Sequence, residues 1–597
     1  MILSILLFYI ISLGLGFLVY KLLHLDGDEP VSSLFISMAL GLALFVLLSS
    51  VLGLIGWIDP LVYLVITTVP IVSYYVMRGV GGDFLFELLS GLPKPDKHWW
   101  IVIGLFIVAL LVFEYGAFAT PLLEDDDSWQ HAAGVRYISE TGTYLQPEPR
   151  LIHYLSPYPP FYDVLMAVIV QASDESINTV LKFFNAFLVA LVIPLFYCWA
   201  RNRLDKDVAL WATFILALLP CFMSHFIWSQ TLAMLFVFPT LYFIDKFNDR
   251  KQAVDGVAGI ICLTALLITQ PSVAAVVFIM ICIYQAPLIF SNTTGALAIP
   301  ILSVIFSILV FWGGMAVIYG PDTVLQHISA TTAFITDKSM DTGGGVVYGV
   351  MDFLTPPFSS RMDQPVGIGE IVVIMTLLGL YLTLFKNKYL IFGAWLVFCF
   401  IGLEANLLPI KLMPHRFWVF LSIPVAILGA VGIQYILDKI THQVMRRILI
   451  CLFIVSIVIT SGAAKLAVEV SPWPSGVNLM WSEQIQGFTH LKQLPVNTKV
   501  FSYCSHEDLM NGIGMYGYSW IQEVKDYKNK SIADTIDGNL EFLHKYNYTY
   551  IVIDPVCFTY SSTTEVSSKV TAIESNKHFV KQEQLSNAGF FVYQVVD

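Results

Sequence analysis

The feature that most limits what this chain can fold into is a recurring apolar segment. Runs of about 18 or more residues, nearly free of charge, repeat from the first residues to about residue 466. A helix of that length crosses the hydrocarbon core of a bilayer, which is about 30 Å thick. Fourteen such segments are expected, near 1–23, 32–56, 60–77, 100–117, 178–200, 207–223, 225–247, 254–270, 272–291, 295–319, 369–385, 389–405, 416–437 and 447–466. Only 13% of the residues are charged and 57% are hydrophobic, against about 25% charged in soluble chains, so a soluble fold could not cover the apolar surface. The first segment lacks a basic n-region and a small-residue cleavage site, so it reads as an uncleaved span. A net charge of −12 argues against the basic footprint of a nucleic-acid binder.

Basic residues in short loops orient the spans. One set of alternate loops holds Lys21, Arg78, Lys94, Lys97, Arg201, Arg203, Lys206, Lys246, Arg250, Lys251, Lys386, Lys388, Lys439, Arg446 and Arg447. The other set, longer in total, holds Arg136, Arg150, Lys338, Arg361, Lys411 and Arg416. The first set is therefore expected in the cytoplasm. The 118–177 loop, the 320–368 loop, the 406–415 loop and the tail from about 467 are expected outside, making this a multi-pass cell-membrane protein.

The tail lacks long apolar runs. Val500–Cys504, Tyr550–Asp554 and Phe590–Val596 read as strands, and Ile532–Lys545 as a helix between the first two. That order predicts a small extracytoplasmic α/β domain. Cys504 and Cys557 both fall in it, where an oxidising compartment permits a disulfide.

The most informative loop begins Glu124-Asp125-Asp126-Asp127-Ser128-Trp129-Gln130-His131, directly after the fourth apolar segment. Charges at a membrane boundary are costly unless hydrated, paired or used. A helix running to about Ser139 and capped by Asp127 or Ser128 accounts for one or two of these acids. Four in a row also suit a general base, Asp127 or Asp126, or a divalent-cation site (Mg2+ or Mn2+) with Asp127 and Asp125 as ligands. Gly142 ends the helix. His153-Tyr154-Leu155-Ser156-Pro157-Tyr158-Pro159-Pro160-Phe161-Tyr162 follows, an aromatic, proline-rich stretch suited to lie at headgroup depth and frame a groove.

This loop resembles the first outer loop of the GT-C superfamily of membrane glycosyltransferases, which includes protein mannosyltransferases, aminoarabinose transferases and oligosaccharyltransferase catalytic subunits. The resemblance rests on the acidic run after a span, the helix carrying His131, and Tyr158-Pro159-Pro160-Phe161-Tyr162. It implies that Asp127, or Asp126 beside it, is the catalytic base or a metal ligand. Asp127 and His131, four residues apart, share a helix face as in the oligosaccharyltransferase-like pattern. The resemblance implies a mainly α, GT-C-like polytopic protein of about fourteen transmembrane helices with a C-terminal α/β domain. Its parts would be extra helices over 1–99, a shared module over 100–319 carrying the acidic loop 118–177, further helices over 320–467 and the outer domain over 468–597. The tail has Met515-Tyr516-Gly517-Tyr518-Ser519-Trp520 but lacks the Trp-Trp-Asp-Tyr-Gly motif with which oligosaccharyltransferases hold a sequon. Transfer of one sugar fits better than transfer of a whole oligosaccharide.

A second polar cluster, Lys411-Leu412-Met413-Pro414-His415-Arg416-Phe417-Trp418, opens the thirteenth segment. Its cations either snorkel and pair with Glu404 or hold a lipid phosphate at a helix start. The resemblance favours the second role for Arg416, with His415 and Lys411 beside it. His131, His153, Tyr158 and Arg361 are the remaining candidate substrate-binding residues. In the 320–368 loop, Thr342-Gly343-Gly344-Gly345 among Asp337, Lys338, Asp341, Asp352 and Asp363 suggests a closing segment or a plain connector. Lys182, Asn185, His225, Gln230 and Gln270 are expected near the outer ends of spans, where each either lines a cavity or is an ordinary hydrogen-bonded interface residue.

The expected function is an inverting glycosyltransferase that takes a sugar from a polyprenyl- or dolichyl-phosphate donor to a glycan, lipid or protein acceptor. A transporter or flippase of a lipid-linked or anionic solute would need internal repeats and interrupted helices at the midplane, and no clear repeat is visible. A non-catalytic scaffold would not need four consecutive acids beside the membrane.

Overall fold

The computed structural model describes residues 1–597 except 24, 26–28, 78–94, 124, 150, 291–294, 296, 333–346, 357–364, 386, 409–412, 472–480 and 597. Every one of the fourteen apolar segments lies on a helix. They are α1 (Ile2–Leu22), α2 (Pro30–Leu54), α3 (Pro60–Met77), α4 (Lys97–Ala117) and then, after two helices of the acidic loop, α5 (Asp126–Thr141) and α6 (Phe161–Gln171), the run from α7 (Ile177–Arg203) through α8 (Lys206–Leu218), α9 (Gln230–Arg250), α10 (Ala253–Thr269), α11 (Pro271–Phe290) and α12 (Ala298–Tyr319) to α13 (Glu370–Thr383), α14 (Leu390–Leu403), α15 (Pro414–Lys439) and α16 (Gln443–Val470). Among the described residues, eight of these helices are long and apolar enough to cross a membrane: α1, α2, α4, α7, α11, α12, α15 and α16. The chain is a multi-pass membrane protein.

Burial separates the middle of the bundle from its rim. α7 and α15 bury 89% and 83% of their most apolar stretch, whereas α12 and α16 bury 22% each and leave the rest as an apolar outer face. An all-round apolar helix with an exposed face is the pattern expected where lipid is the solvent. Prolines open α2, α11 and α15, where the missing N–H costs nothing.

One end of the bundle carries the acidic loop. There α5 is capped by Asp125, whose carboxylate accepts the Ser128 N–H at 3.0 Å, not by Asp127 or Ser128 as the sequence suggested. The acid that precedes two further acids takes the cap, which leaves Asp126 and Asp127 on the first turn. α5 ends at Gly142, which adopts a left-handed conformation (φ 69°).

The tail forms a four-stranded sheet of order β1-β2-β4-β3, from β1 (Val500–Ser502), β2 (Tyr550–Ile553), β3 (Phe579–Lys581) and β4 (Phe591–Val595). β1 and β2 are parallel, and the other two pairings are antiparallel. β3 was not foreseen: it is three residues long and alternates only weakly. The helix before β2 begins at Ile536 rather than Ile532, because Thr535 caps it. Cys504 and Cys557 form a disulfide.

This domain docks on the back of α5. Arg136 donates to Asn497 at 2.7 Å and lies over the Tyr516 ring at 5.1 Å. Tyr137 meets Trp520 edge-on at 5.6 Å, and Lys492 donates to the Pro121 carbonyl at 2.6 Å. The aromatic segment 515–520 is thus spent on docking.

Candidate active site at the acidic loop

The acids of α5 differ in what surrounds them. Burial raises the Asp125 carboxyl well above its ordinary range, and the neighbouring Asp127 charge adds to the rise. Asp126 is raised by burial and then by Asp127, with His506 of the C-terminal domain acting in the opposite direction. Asp127 accepts a hydrogen bond from the Tyr154 hydroxyl. Its Oδ2 has no hydrogen-bond partner among the described residues, so one oxygen is held and the other is open.

Tyr154 is the centre of an aromatic cluster. Its ring stacks on His131 with centroids 4.1 Å apart and planes 7° apart, and Tyr158 meets it edge-on at 5.2 Å. Burial raises the Tyr154 hydroxyl, and the Asp127 charge raises it further, while Arg416 lowers it. Tyr158 is buried, bonds Ser229 at 2.7 Å, and is pushed up to about 12 by burial, with Arg416 again pulling the other way. His131, one turn after Asp127 on α5, meets the same tyrosine but pairs with a different acid. Its Nδ1 lies 2.6 Å from Asp163 Oδ1, and both side chains are buried. Burial lifts the Asp163 carboxyl to about 6 against the pull of His131. Gly134 lets α6 approach this closely: a Cβ there would sit 2.3 Å from Asp163 Oδ2.

Arg416 occupies the first turn of α15. One of its guanidinium nitrogens donates to Ser272, whose hydroxyl donates to Gln270 at 2.8 Å. Among the described residues no carboxylate pairs with it, and its Nε is buried without a hydrogen bond. The pocket beside it is lined by Gln230, Ser272, Val273, Val276, Met413, Arg416, Phe417 and Phe420. These residues belong to the starts of α9, α11 and α15, so three helix N-termini converge there. Each brings the positive end of its dipole, although the Val273 N–H is already taken by Gln270 Oε1 at 2.7 Å. Gln230 adds a buried Oε1 that has no partner among the described residues.

The other expected residues are distributed as follows. His153 is exposed, with its ring edge-on to Tyr154 at 4.8 Å. His415 is half-buried in the first turn of α15. Lys411, Arg361, Glu124 and, in the 320–368 loop, Asp337, Lys338, Asp341, Thr342–Gly345 and Asp363 lie outside the described residues. Asp352 receives the Gly349 N–H at 2.7 Å. Lys182 and Asn185 serve as pins: Lys182 donates to the Thr120 carbonyl at 2.6 Å, and Asn185 to the His225 and Phe226 carbonyls at 2.7 and 3.0 Å. His225 Nδ1 lies 2.6 Å from Glu469. Among the described residues no group of three or more His, Cys, Asp and Glu side chains comes together as a metal-ligating set.

Sequence reasoning missed Tyr154 as a site residue, and it missed Asp163, Ser229 and Ser272. Tyr154 stood in a quoted motif but looked like one aromatic among several. Ser272 follows a span-opening proline, which was its only signal.

The family described as "Family of unknown function (DUF6541)" matches residues 9–485. No curated protein matches the chain by sequence. Among solved structures, the chain is similar to the archaeal oligosaccharyltransferase AglB from Archaeoglobus fulgidus, solved with an inhibitory peptide and a dolichol-phosphate, at 12% identity and a TM-score of 0.49 over 84% of this chain and 75% of that one. It is similar to ArnT from Cupriavidus metallidurans bound to undecaprenyl phosphate, at 12% identity and a TM-score of 0.49 over 84% and 99% of the two chains. It is similar to the arabinofuranosyltransferase AftD from Mycobacteria, at 11% identity and a TM-score of 0.45 over 84% of this chain and 40% of that one. All three are GT-C glycosyltransferases.

Proposed function

The chain belongs to that family of unknown function, and from this premise we propose that it is a membrane glycosyltransferase. It takes a sugar from a polyprenyl- or dolichyl-phosphate donor and transfers it to a hydroxyl of a lipid-linked glycan or protein acceptor, on the extracytoplasmic side.

One observation carries the reading. The Tyr154 hydroxyl bonds Asp127 and at the same time lies within the field of Arg416. Tyr154 meets Tyr158 edge-on at 5.2 Å, and Tyr158 bonds Ser229, the residue before Gln230 in the wall of the Arg416 pocket. A carboxylate with an open oxygen and a guanidinium without an acid partner among the described residues are thus linked through one aromatic cluster. Asp127 is placed to take a proton, and Arg416 to hold an anion.

The chemistry follows from those two groups. The acceptor oxygen attacks the anomeric carbon of the donor sugar and gives its proton to Asp127 Oδ2. The bond from that carbon to the phosphate oxygen breaks on the opposite face, so the configuration inverts. The phosphate leaves with the bonding electron pair. Arg416 and the first turns of α9, α11 and α15 meet the charge that develops on it. The apolar wall of Val276, Phe417 and Phe420 suits the first isoprene units of the lipid.

The test is transfer in membranes carrying the wild-type chain, supplied with a panel of polyprenyl-phosphate-linked hexoses and pentoses. The expected result is sugar transfer that Asp127→Ala abolishes and Arg416→Ala cripples. Equal transfer by wild type and Asp127→Ala, or none by wild type from any donor, would refute the reading.

A further inference from the structure

We infer that Tyr154 is the positioning residue for Asp127, and that the buried His131–Asp163 pair acts on Asp127 through Tyr154. The inference rests on the proposed transfer reaction and adds to it how the base is aimed.

A free carboxylate offers two equivalent oxygens and rotates between them. Here the Tyr154 hydroxyl holds Asp127 Oδ1, which leaves Oδ2 as the oxygen open to an acceptor. A base works when it is within hydrogen-bond reach in a fixed direction, so fixing the carboxylate plane matters as much as its charge. Tyr154 can do this because its own ring is fixed. It lies flat on His131 at 4.1 Å and is closed in by Tyr158 at 5.2 Å. The His131 ring is fixed in turn by Asp163 on one nitrogen at 2.6 Å and by Tyr162 edge-on at 5.1 Å. Tyr162 is tied to Asn185 at 3.0 Å.

The pair has no direct route to the chemistry. His131 and Asp163 are buried, and each keeps one polar atom, Nε2 and Oδ2, with no hydrogen-bond partner among the described residues. Among the described residues neither side chain bonds the Asp127 carboxylate or Arg416, and His131 meets the Asp127 cluster through the stacked face of Tyr154. Gly134 shows that the close approach of Asp163 is built in, since any side chain there would displace it. A polar pair buried for stability alone would not need to sit flat beneath the one ring that bonds the base.

The test is a double-mutant cycle of Tyr154→Phe and Asp163→Asn, in membranes with the donor panel above, measuring kcat and the donor KM separately. Tyr154→Phe keeps the ring and removes only the hydroxyl. It is expected to lower kcat about ten- to a hundredfold, the range for a hydrogen bond to a charged group, with the donor KM within twofold of wild type. Asp163→Asn is expected to lower kcat severalfold, and the double variant to be no slower than Tyr154→Phe alone. Thermal melting of each purified variant controls for folding, and His131→Asn replaces Asp163→Asn if the latter does not fold. Wild-type kcat in Tyr154→Phe, or losses that multiply in the double variant, would overturn the inference while leaving the reaction standing. Full activity in Asp127→Ala would overturn both.

Discussion

Two clusters of buried charge lie at the same end of the bundle, and they are built on opposite principles. In one, Glu469 near the end of α16 is met by Lys465 at 3.1 Å, by His225 Nδ1 at 2.6 Å and by the His225 N–H at 3.1 Å. Lys465 also donates to the Phe222 carbonyl at 2.5 Å and to the Met223 carbonyl. Positive and negative groups are matched within a few ångströms. In the other, the acids of α5 crowd one another, and among the described residues Arg416 is partnered by a serine rather than an acid. Charge is separated, with an open carboxylate oxygen on one side and three helix N-termini on the other. A matched cluster is a strut, because burying an ion is tolerable only when it is paired and hydrogen-bonded. An unmatched cluster is kept at a cost, and a substrate that brings a hydroxyl and a phosphate would complete it.

The comparison breaks if the two clusters respond alike to substitution. The largest effects should differ in kind. Glu469→Ala leaves Lys465 buried without its partner, which costs about 3–5 kcal/mol, so little folded protein should be recovered from detergent. Asp127→Ala should fold and melt like wild type yet lose transfer by roughly 10²–10⁴-fold, the range for a general base. A folded, active Glu469→Ala protein would remove the distinction.

Much of this was legible in the sequence, and the rest was not for definable reasons. Hydropathy placed its fourteen segments on helices of the described residues, of which eight are long and apolar enough to cross a membrane. Gly142 announced the end of α5, and the acidic run announced a loop under demand. The cap was misplaced by two residues, since Asp125, Asp127 and Ser128 are all good caps and only the path of the chain chooses among them. Asp163 was hidden in an apolar stretch, where a lone acid says nothing about a histidine 32 residues earlier. Glu469 and Lys465 lie at the end of the last span, where nothing in the local sequence points to His225, 244 residues from Glu469, as a partner. The convergence of α9, α11 and α15 is tertiary and has no local signature.

Smaller effects sharpen the picture. Arg416→Lys keeps the charge but loses the planar fork. It should raise the donor KM by about tenfold, the value of one charge-assisted hydrogen bond, while leaving acceptor KM near wild type in the same transfer assay. The smallest effect concerns Asp126. Its carboxyl is raised by burial and by Asp127, so its folded value lies above its unfolded one. Its favourable share of stability is therefore present at pH below the unfolded value and is lost as pH rises through the folded one. Asp126→Asn should stabilise the protein at pH 7 by no more than about 1 kcal/mol, because the group is partly solvated, read as a higher melting temperature. The gain should shrink as pH falls through the folded value, where the native carboxyl takes up its proton.

The central claim is that Asp127 and Arg416 belong to one site for a lipid phosphate. The direct measurement is binding of undecaprenyl phosphate, without any sugar, to the purified protein by native mass spectrometry. The account predicts that wild type binds, that Arg416→Ala loses at least tenfold in affinity, and that Asp127→Ala binds as tightly or more tightly because a nearby negative charge has gone. Equal affinity in all three proteins would contradict it.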